Sequence, residues 1–181
     1  LTLAGAPNGQ YEDYDANIRR IGTWTSYAVP QAIGGNFSVS VDQYSSMLFN
    51  ADAATQGVAV FTTNASGYAT FEVCIYSVTS VGSQDDVCQT FNTAATTTAY
   101  GRVNVLRLPS GTASSARVVE IRQTSGGVLV IEAIRLLGTV SPLPDGNYDD
   151  GQTLDMNFSS GWLPIGAGRA GTTTWSNLNS T

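Results

Sequence analysis

Three acidic residues stand together near the start of the chain, Glu12, Asp13 and Asp15, and Asp149 and Asp150 recur in a similar setting further on. Carboxylates in such a loop could hold Ca²⁺, which takes six to eight oxygen ligands. They serve equally as Asx turns on a solvated edge, and the chain has no Asp-x-Asp-x-Asp-Gly loop to decide for the metal. A second group is aromatic. Trp24, Tyr27 and Tyr44, with Tyr11 and Tyr14, could offer ring faces to a sugar while Asp, Asn and Arg bond its hydroxyls. Against this, Trp24 suits the edge of a β-sandwich core. A third group is the pair Cys74 and Cys88. The intervening residues read as strand, turn, strand, so a disulfide would close a short loop and stabilise it by roughly 3 kcal/mol; the alternative is two buried thiols.

Other chemistry is excluded by residues that are missing. The chain has no His and no Lys; its eight basic residues are all Arg. A Ser-His-Asp triad is therefore impossible, and a Cys nucleophile would lack its base. Schiff-base chemistry and Lys–Asn crosslinks are excluded with Lys. Two carboxylates for glycoside hydrolysis are formally available, but nothing in the spacing sets a pair across a cleft. No catalytic residue and no cofactor beyond Ca²⁺ is expected. Fourteen acidic residues give a net charge of −6, which argues against nucleic acid and anionic membranes as partners. No apolar run approaches the roughly 20 residues of a membrane helix.

Strands must position these groups. Helical periodicity is nearly absent. Gly67 to Val78 alternates, with Phe71, Val73 and Ile75 on one side and Thr70, Glu72, Cys74 and Tyr76 on the other. Residues 46–50, 57–62, 87–91, 99–108, 116–123 and 128–137 are further strand candidates. Turn chemistry separates them at Asn64-Ala-Ser-Gly67, Gly82-Ser-Gln-Asp85, Pro109-Ser-Gly111 and Ser125-Gly-Gly127. Many short strands with Gly-rich turns predict an all-β sandwich or barrel.

The chain also echoes itself. Pro7-Asn-Gly-Gln-Tyr-Glu-Asp13 returns as Pro144-Asp-Gly-Asn-Tyr-Asp-Asp150, and Gly22-Thr-Trp24 returns as Gly161-Trp162. Tyr148 lies 137 residues after Tyr11, a normal domain length. The expected organisation is a complete repeat over 1–138, a linker over 139–147, and the opening of a second repeat over 148–181. That opening would pack on the first repeat or on a neighbouring subunit. The start at Leu1 predicts a processed protein or a piece of a longer one.

Tyr11-Glu-Asp-Tyr-Asp15, Ile18, Gly22-Thr-Trp24, Gly34-Gly35, Gly67-Tyr-Ala-Thr-Phe-Glu-Val-Cys-Ile75 and Val130-Ile-Glu-Ala-Ile134 together resemble a jelly-roll module. Such modules occur in tandem in large bacterial surface and secreted proteins. They are similar to the galactose-binding-like β-sandwiches that include many carbohydrate-binding modules. The resemblance covers Tyr11 to Leu137 and restarts at Tyr148. It implies an antiparallel jelly-roll sandwich, and a structural Ca²⁺ as such folds often carry. Related modules often turn at Asp-Gly after the central strand; here Cys74 and a longer loop stand instead.

Two functions follow as expectations. The first is a structural subunit of an extracellular fibre or surface array, assembling with copies of itself through Tyr148, Trp162 and Trp175. The second is a carbohydrate-binding or adhesion module that recognises polysaccharide. Both place the protein outside the cell or on its surface, which fits the disulfide and the low charged fraction of 12%. Asn36, Asn64, Asn157 and Asn179 open Asn-x-Ser/Thr sequons and are candidate glycosylation sites.

Overall fold

The computed structural model describes residues 9–78, 86–109, 112, 115–138, 162–167 and 173–177, the last two segments by backbone alone. Tyr148, Asp149, Asp150, Asn157, Asn179 and the turn at Gly82-Ser-Gln-Asp85 lie outside them. The chain forms two compact units, 1–139 and 140–181.

The first unit is a β-sandwich. Its strands are β1 (Gly9–Glu12), β2 (Arg19–Ile21), β3 (Thr25–Ala28), β4 (Asn36–Ser40), β5 (Ser46–Ala51), β6 (Gly57–Asn64), β7 (Thr70–Ser77), β8 (Val87–Asn92), β9 (Ala99–Arg107), β10 (Arg117–Gln123) and β11 (Leu129–Leu137). Sheet 1 runs β3-β4-β11-β6-β9, with β1 also paired to β11; sheet 2 runs β2-β5-β10-β7-β8. The pairings within both sheets are antiparallel.

The core forms because alternate residues of both sheets meet between them. Phe71, Val73 and Ile75 of β7, Val119 and Ile121 of β10, and Met47 and Phe49 of β5 are buried from sheet 2. Val58 and Val60 of β6, Leu106 of β9, and Leu129, Ile131, Ile134 and Leu136 of β11 are buried from sheet 1. Phe71 is fully buried and stacks on Phe91 at 5.4 Å. The predicted alternation over 67–78 is present from Thr70 onward; before it, Gly67 turns the chain at φ 76°.

In β11 the inward set shifts from Ile131 to Ile134 because the strand bulges at Glu132, between the pairs Ile131–Thr62 and Ala133–Phe61. The bulge aims Glu132 out of the core, yet its side chain is fully buried. Its carboxylate accepts bonds from the Ile33 N–H, the Gly101 N–H and the Thr63 hydroxyl, each at 2.8 Å. Ile33 opens a 3-10 turn, Ile33–Gly35, in the β3–β4 connection. This connection therefore lies across the outer face of sheet 1 as far as Gly101 on β9, which holds φ 62°. A Cβ at Gly34 would strike the Glu12 carboxylate, so the turn needs glycine there.

The second unit shows an antiparallel hairpin, β12 (Trp162–Ala167) and β13 (Thr173–Asn177). Asn36 and Thr173 are 137 residues apart, as are Ser40 and Asn177, and Thr25 and Trp162. A hairpin thus recurs at the period of the sequence echo, with its register offset by one: Thr25 pairs with Val39, while Trp162 pairs with Asn177.

Candidate functional site

The outer face of sheet 2 carries an open array of polar side chains. Because residues paired across antiparallel strands share a face, the register sets them in rows. One row is Arg19, Leu48, Glu120, Cys74 and Cys88; a second is Asn50, Val118 and Tyr76; a third is Ile21, Ser46, Arg122, Glu72 and Thr90. At the β2–β5–β10 side lies a cleft of about 380 Å³, lined by Ala16, Asn17, Arg19, Leu48, Asn50 and Val118, with the Phe49 strand segment beneath. Ligand pockets span roughly 300–1,000 Å³. Leu48 and Val118 give an apolar floor; Asn17, Arg19 and Asn50 give polar walls.

The surroundings are fixed by hydrogen bonds. Asp15 Oδ1 accepts from the Asn17 backbone and side-chain N–H groups, both at 2.8 Å, and so shapes the β1–β2 loop. Tyr76 Oη donates to Glu120 Oε2 at 3.2 Å, and Arg122 pairs with Glu72 at 2.6 Å. Burial, and then the Glu120 charge, raise the Tyr76 phenol above its ordinary value, keeping it a donor. The bond to Glu72 likewise raises the Arg122 guanidinium. Arg19 and Asn50 make no side-chain hydrogen bond or ion pair among the described residues.

The disulfide joins Cys74 and Cys88 at directly opposed positions of β7 and β8 on this same face. It ties the edge strand β8 to its neighbour β7. Glu72 lies close to both sulfurs, and with them makes the one group of three carboxylate or sulfur atoms within 4.8 Å among the described residues.

The predicted acidic group is distributed differently. Adjacent residues of an extended strand point to opposite faces, and Glu12 lies on the outer face of sheet 1 beside Gly34. Asp13 turns inward, fully buried, where Oδ2 accepts from Ser38 Oγ at 2.6 Å and from Ser26 Oγ at 3.4 Å. Asp15 is taken up with Asn17. Glu12 Oε2 and Asp13 Oδ1 are buried and unpartnered among the described residues, and the carboxylates of Glu12, Asp13 and Asp15 do not all lie within 4.8 Å of one another.

The aromatic residues also lie apart in the fold. Trp24 is half-buried against the core and donates Nε1–H to the Ile21 carbonyl at 3.1 Å. Tyr27 is exposed on β3, edge-on to Phe37. Tyr44, 67% exposed, sits in the β4–β5 loop at φ 74°, with its N–H bonded to the Gln123 carbonyl. Among the sequon residues, Asn36 opens β4 and donates to the Gly34 carbonyl, and Asn64 ends β6 and accepts from Thr62. Trp162 and Trp175 lie on β12 and β13.

The two-sheet antiparallel architecture has counterparts among solved structures. A Paenibacillus xanthan lyase matches with a TM-score of 0.52 and 18% identity, over 73% of this chain and 13% of its own. The K2 cleaved adhesin domain of Lys-gingipain matches with a TM-score of 0.50 and 13% identity, over 72% of this chain and 97% of its own. The Agl-KA catalytic domain matches with a TM-score of 0.50 and 12% identity, over 91% of this chain and 34% of its own. The chain has the jelly-roll β-sandwich fold. It spans about a third or less of the xanthan lyase and Agl-KA chains, but nearly all of the adhesin domain. No protein-family model matches the chain, and no curated protein matches it in sequence.

Sequence reasoning missed the cleft. Asn17, Arg19, Asn50 and Val118 are scattered in the chain, and only the pairing of β2, β5 and β10 gathers them. It also passed over Glu132. The one carboxylate inside the apolar run 128–137 was the available signal, since a carboxylate at a buried position must find donors.

Proposed function

We propose that this protein is an extracellular carbohydrate-binding or adhesion module that grips polysaccharide in the cleft on sheet 2. The observation that carries the reading is the cleft itself: an apolar floor for sugar C–H faces, rimmed by Asn17, Arg19 and Asn50 for hydroxyls. Tyr76 stands in the same row as Val118, at the inner margin. The matched structure of similar length is named as an adhesin domain, and the disulfide suits an oxidising compartment. Binding without turnover is the reading because the cleft lining has no carboxylate, histidine or thiol.

The test is affinity electrophoresis through gels containing a panel of plant and bacterial polysaccharides. One or more should retard the protein, and Asn50→Ala should weaken that interaction about 3- to 10-fold, as loss of one or two hydrogen bonds does. Tyr44→Ala should leave it unchanged. Loss in Tyr44→Ala with Asn50→Ala unaffected would move the site to the β4–β5 loop. No retardation by any polysaccharide would sink the reading.

A second reading, a fibre subunit joined through 148–181, is supported by the hairpin at the 137-residue period. In the first unit β4 is flanked by both β3 and β11, whereas β13 pairs with β12 alone among the described residues. A strand added to β13 would link modules by backbone pairing. Sedimentation velocity over a wide concentration range should then show growing oligomers; a single monomer species throughout would exclude self-assembly.

A further inference from the structure

We infer that the cleft on sheet 2 selects acidic saccharides, with Arg19 receiving a uronate carboxylate. This rests on the carbohydrate-binding reading and names the class of sugar.

The charge distribution is the starting point. The chain carries a net charge of −6, yet the cleft lining holds one cation and no acid. Arg19 is exposed on the outer face of β2, with no ion pair among the described residues. Its neighbours in the row explain why it remains available. Leu48 is apolar, and beyond it Glu120 accepts its bond from Tyr76 on the far side. Arg122, on the next row, is occupied by Glu72. The closest acid along the chain, Asp15, accepts from Asn17 through Oδ1.

Behind the strand lies a second positive charge. Arg20 pairs in register with the core residue Met47 and so faces inward. Its Nε and one terminal nitrogen are buried without a hydrogen-bond partner. The β2 edge therefore carries two adjacent guanidinium groups, one on each face, without an ion pair among the described residues. A guanidinium presents two parallel N–H groups to a carboxylate, a match that neutral hydroxyls cannot reproduce. The Asn50 amide, one row away and also unpartnered, is placed for the hydroxyls of the same or next ring. A neutral glycan would use Asn17, Asn50 and the apolar floor but leave the charge of Arg19 unanswered.

The experiment compares polygalacturonate and alginate with the same polymers after reduction of their carboxyl groups to alcohols, by affinity electrophoresis and calorimetry on the full chain. At least one acidic polymer should bind about tenfold or more tightly than its reduced form. Added NaCl should narrow that margin through screening. Arg19→Gln should abolish the preference, Arg19→Lys should restore part of it, and Arg122→Gln should leave it intact. Far-ultraviolet circular dichroism and thermal midpoints confirm that each variant is folded. Equal binding of acidic and reduced polymers, weakened in Asn50→Ala, would overturn the acidic class while leaving the carbohydrate reading standing. A preference that survives Arg19→Gln would overturn the role of Arg19. Binding of neither acidic polymer, with neutral polysaccharides bound from the wider panel, would likewise overturn the acidic class; no polysaccharide bound at all would remove both.

Discussion

Replacing Glu132 with Ala should lower the unfolding free energy by about 4 kcal/mol, because three donors, one buried and two partly buried, lose a charged acceptor at once. Ile33 N–H, Gly101 N–H and the Thr63 hydroxyl converge on that carboxylate from three separate elements. With that acceptor gone, the 29–35 segment must open to water or leave the Ile33 N–H unsatisfied. Glu132→Gln is the informative companion. It keeps one oxygen for Thr63 and Gly101 but sets an amide NH₂ against the Ile33 N–H. Its cost should be smaller, about 1–3 kcal/mol. Urea denaturation gives both values, and hydrogen exchange at Ile33 and Gly101 should accelerate in each variant. A loss below about 1 kcal/mol in Glu132→Ala would mean that water replaces the carboxylate.

Phe71→Ala should cost about 3–5 kcal/mol, the range for deleting a buried phenyl ring. Phe71 is wholly enclosed on β7, an interior strand of sheet 2, and stacks on Phe91 of the edge strand β8. Its loss leaves a cavity between the sheets and loosens β8, which is then held by backbone pairing and by the Cys74–Cys88 bridge. The urea midpoint should fall with little change in slope. The cost should exceed that of Phe91→Ala, since Phe91 is only partly buried. Equal costs for the two would argue against a core centred on β7.

These two residues also mark what was legible in the sequence. Phe71 lies in a strand whose alternation is plain, because β7 has one face in the core and one face toward solvent. The strands β5 to β11 are all legible, with ends within a few residues of those observed, although β6 and β11 are apolar runs buried on both faces, without alternation. The first four strands are not. Arg19-Arg20-Ile21 and Thr25-Ser-Tyr-Ala28 are short edge strands, and every residue of β3 is exposed. Burial had imposed no pattern on them. Glu132 was hidden for a different reason: its partners are 31 to 99 residues away and meet it only at a bulge. The cleft is non-local in the same sense. Aromatic residues drew attention to Trp24, Tyr27 and Tyr44, whereas pairing of β2, β5 and β10 gathers Asn17, Arg19, Asn50 and Val118. The face that holds them is open, while the outer face of sheet 1 is crossed by the segment pinned to Glu132.

Backbone amide shifts of ¹⁵N-labelled protein, followed while a bound oligosaccharide is titrated in, test the sheet-2 cleft most directly. Binding there predicts the largest changes at Asn17, Arg19, Leu48, Asn50 and Val118, with smaller ones at Tyr76 and Glu120. Changes confined to the Trp24 and Tyr44 loops or to sheet 1 would contradict that placement.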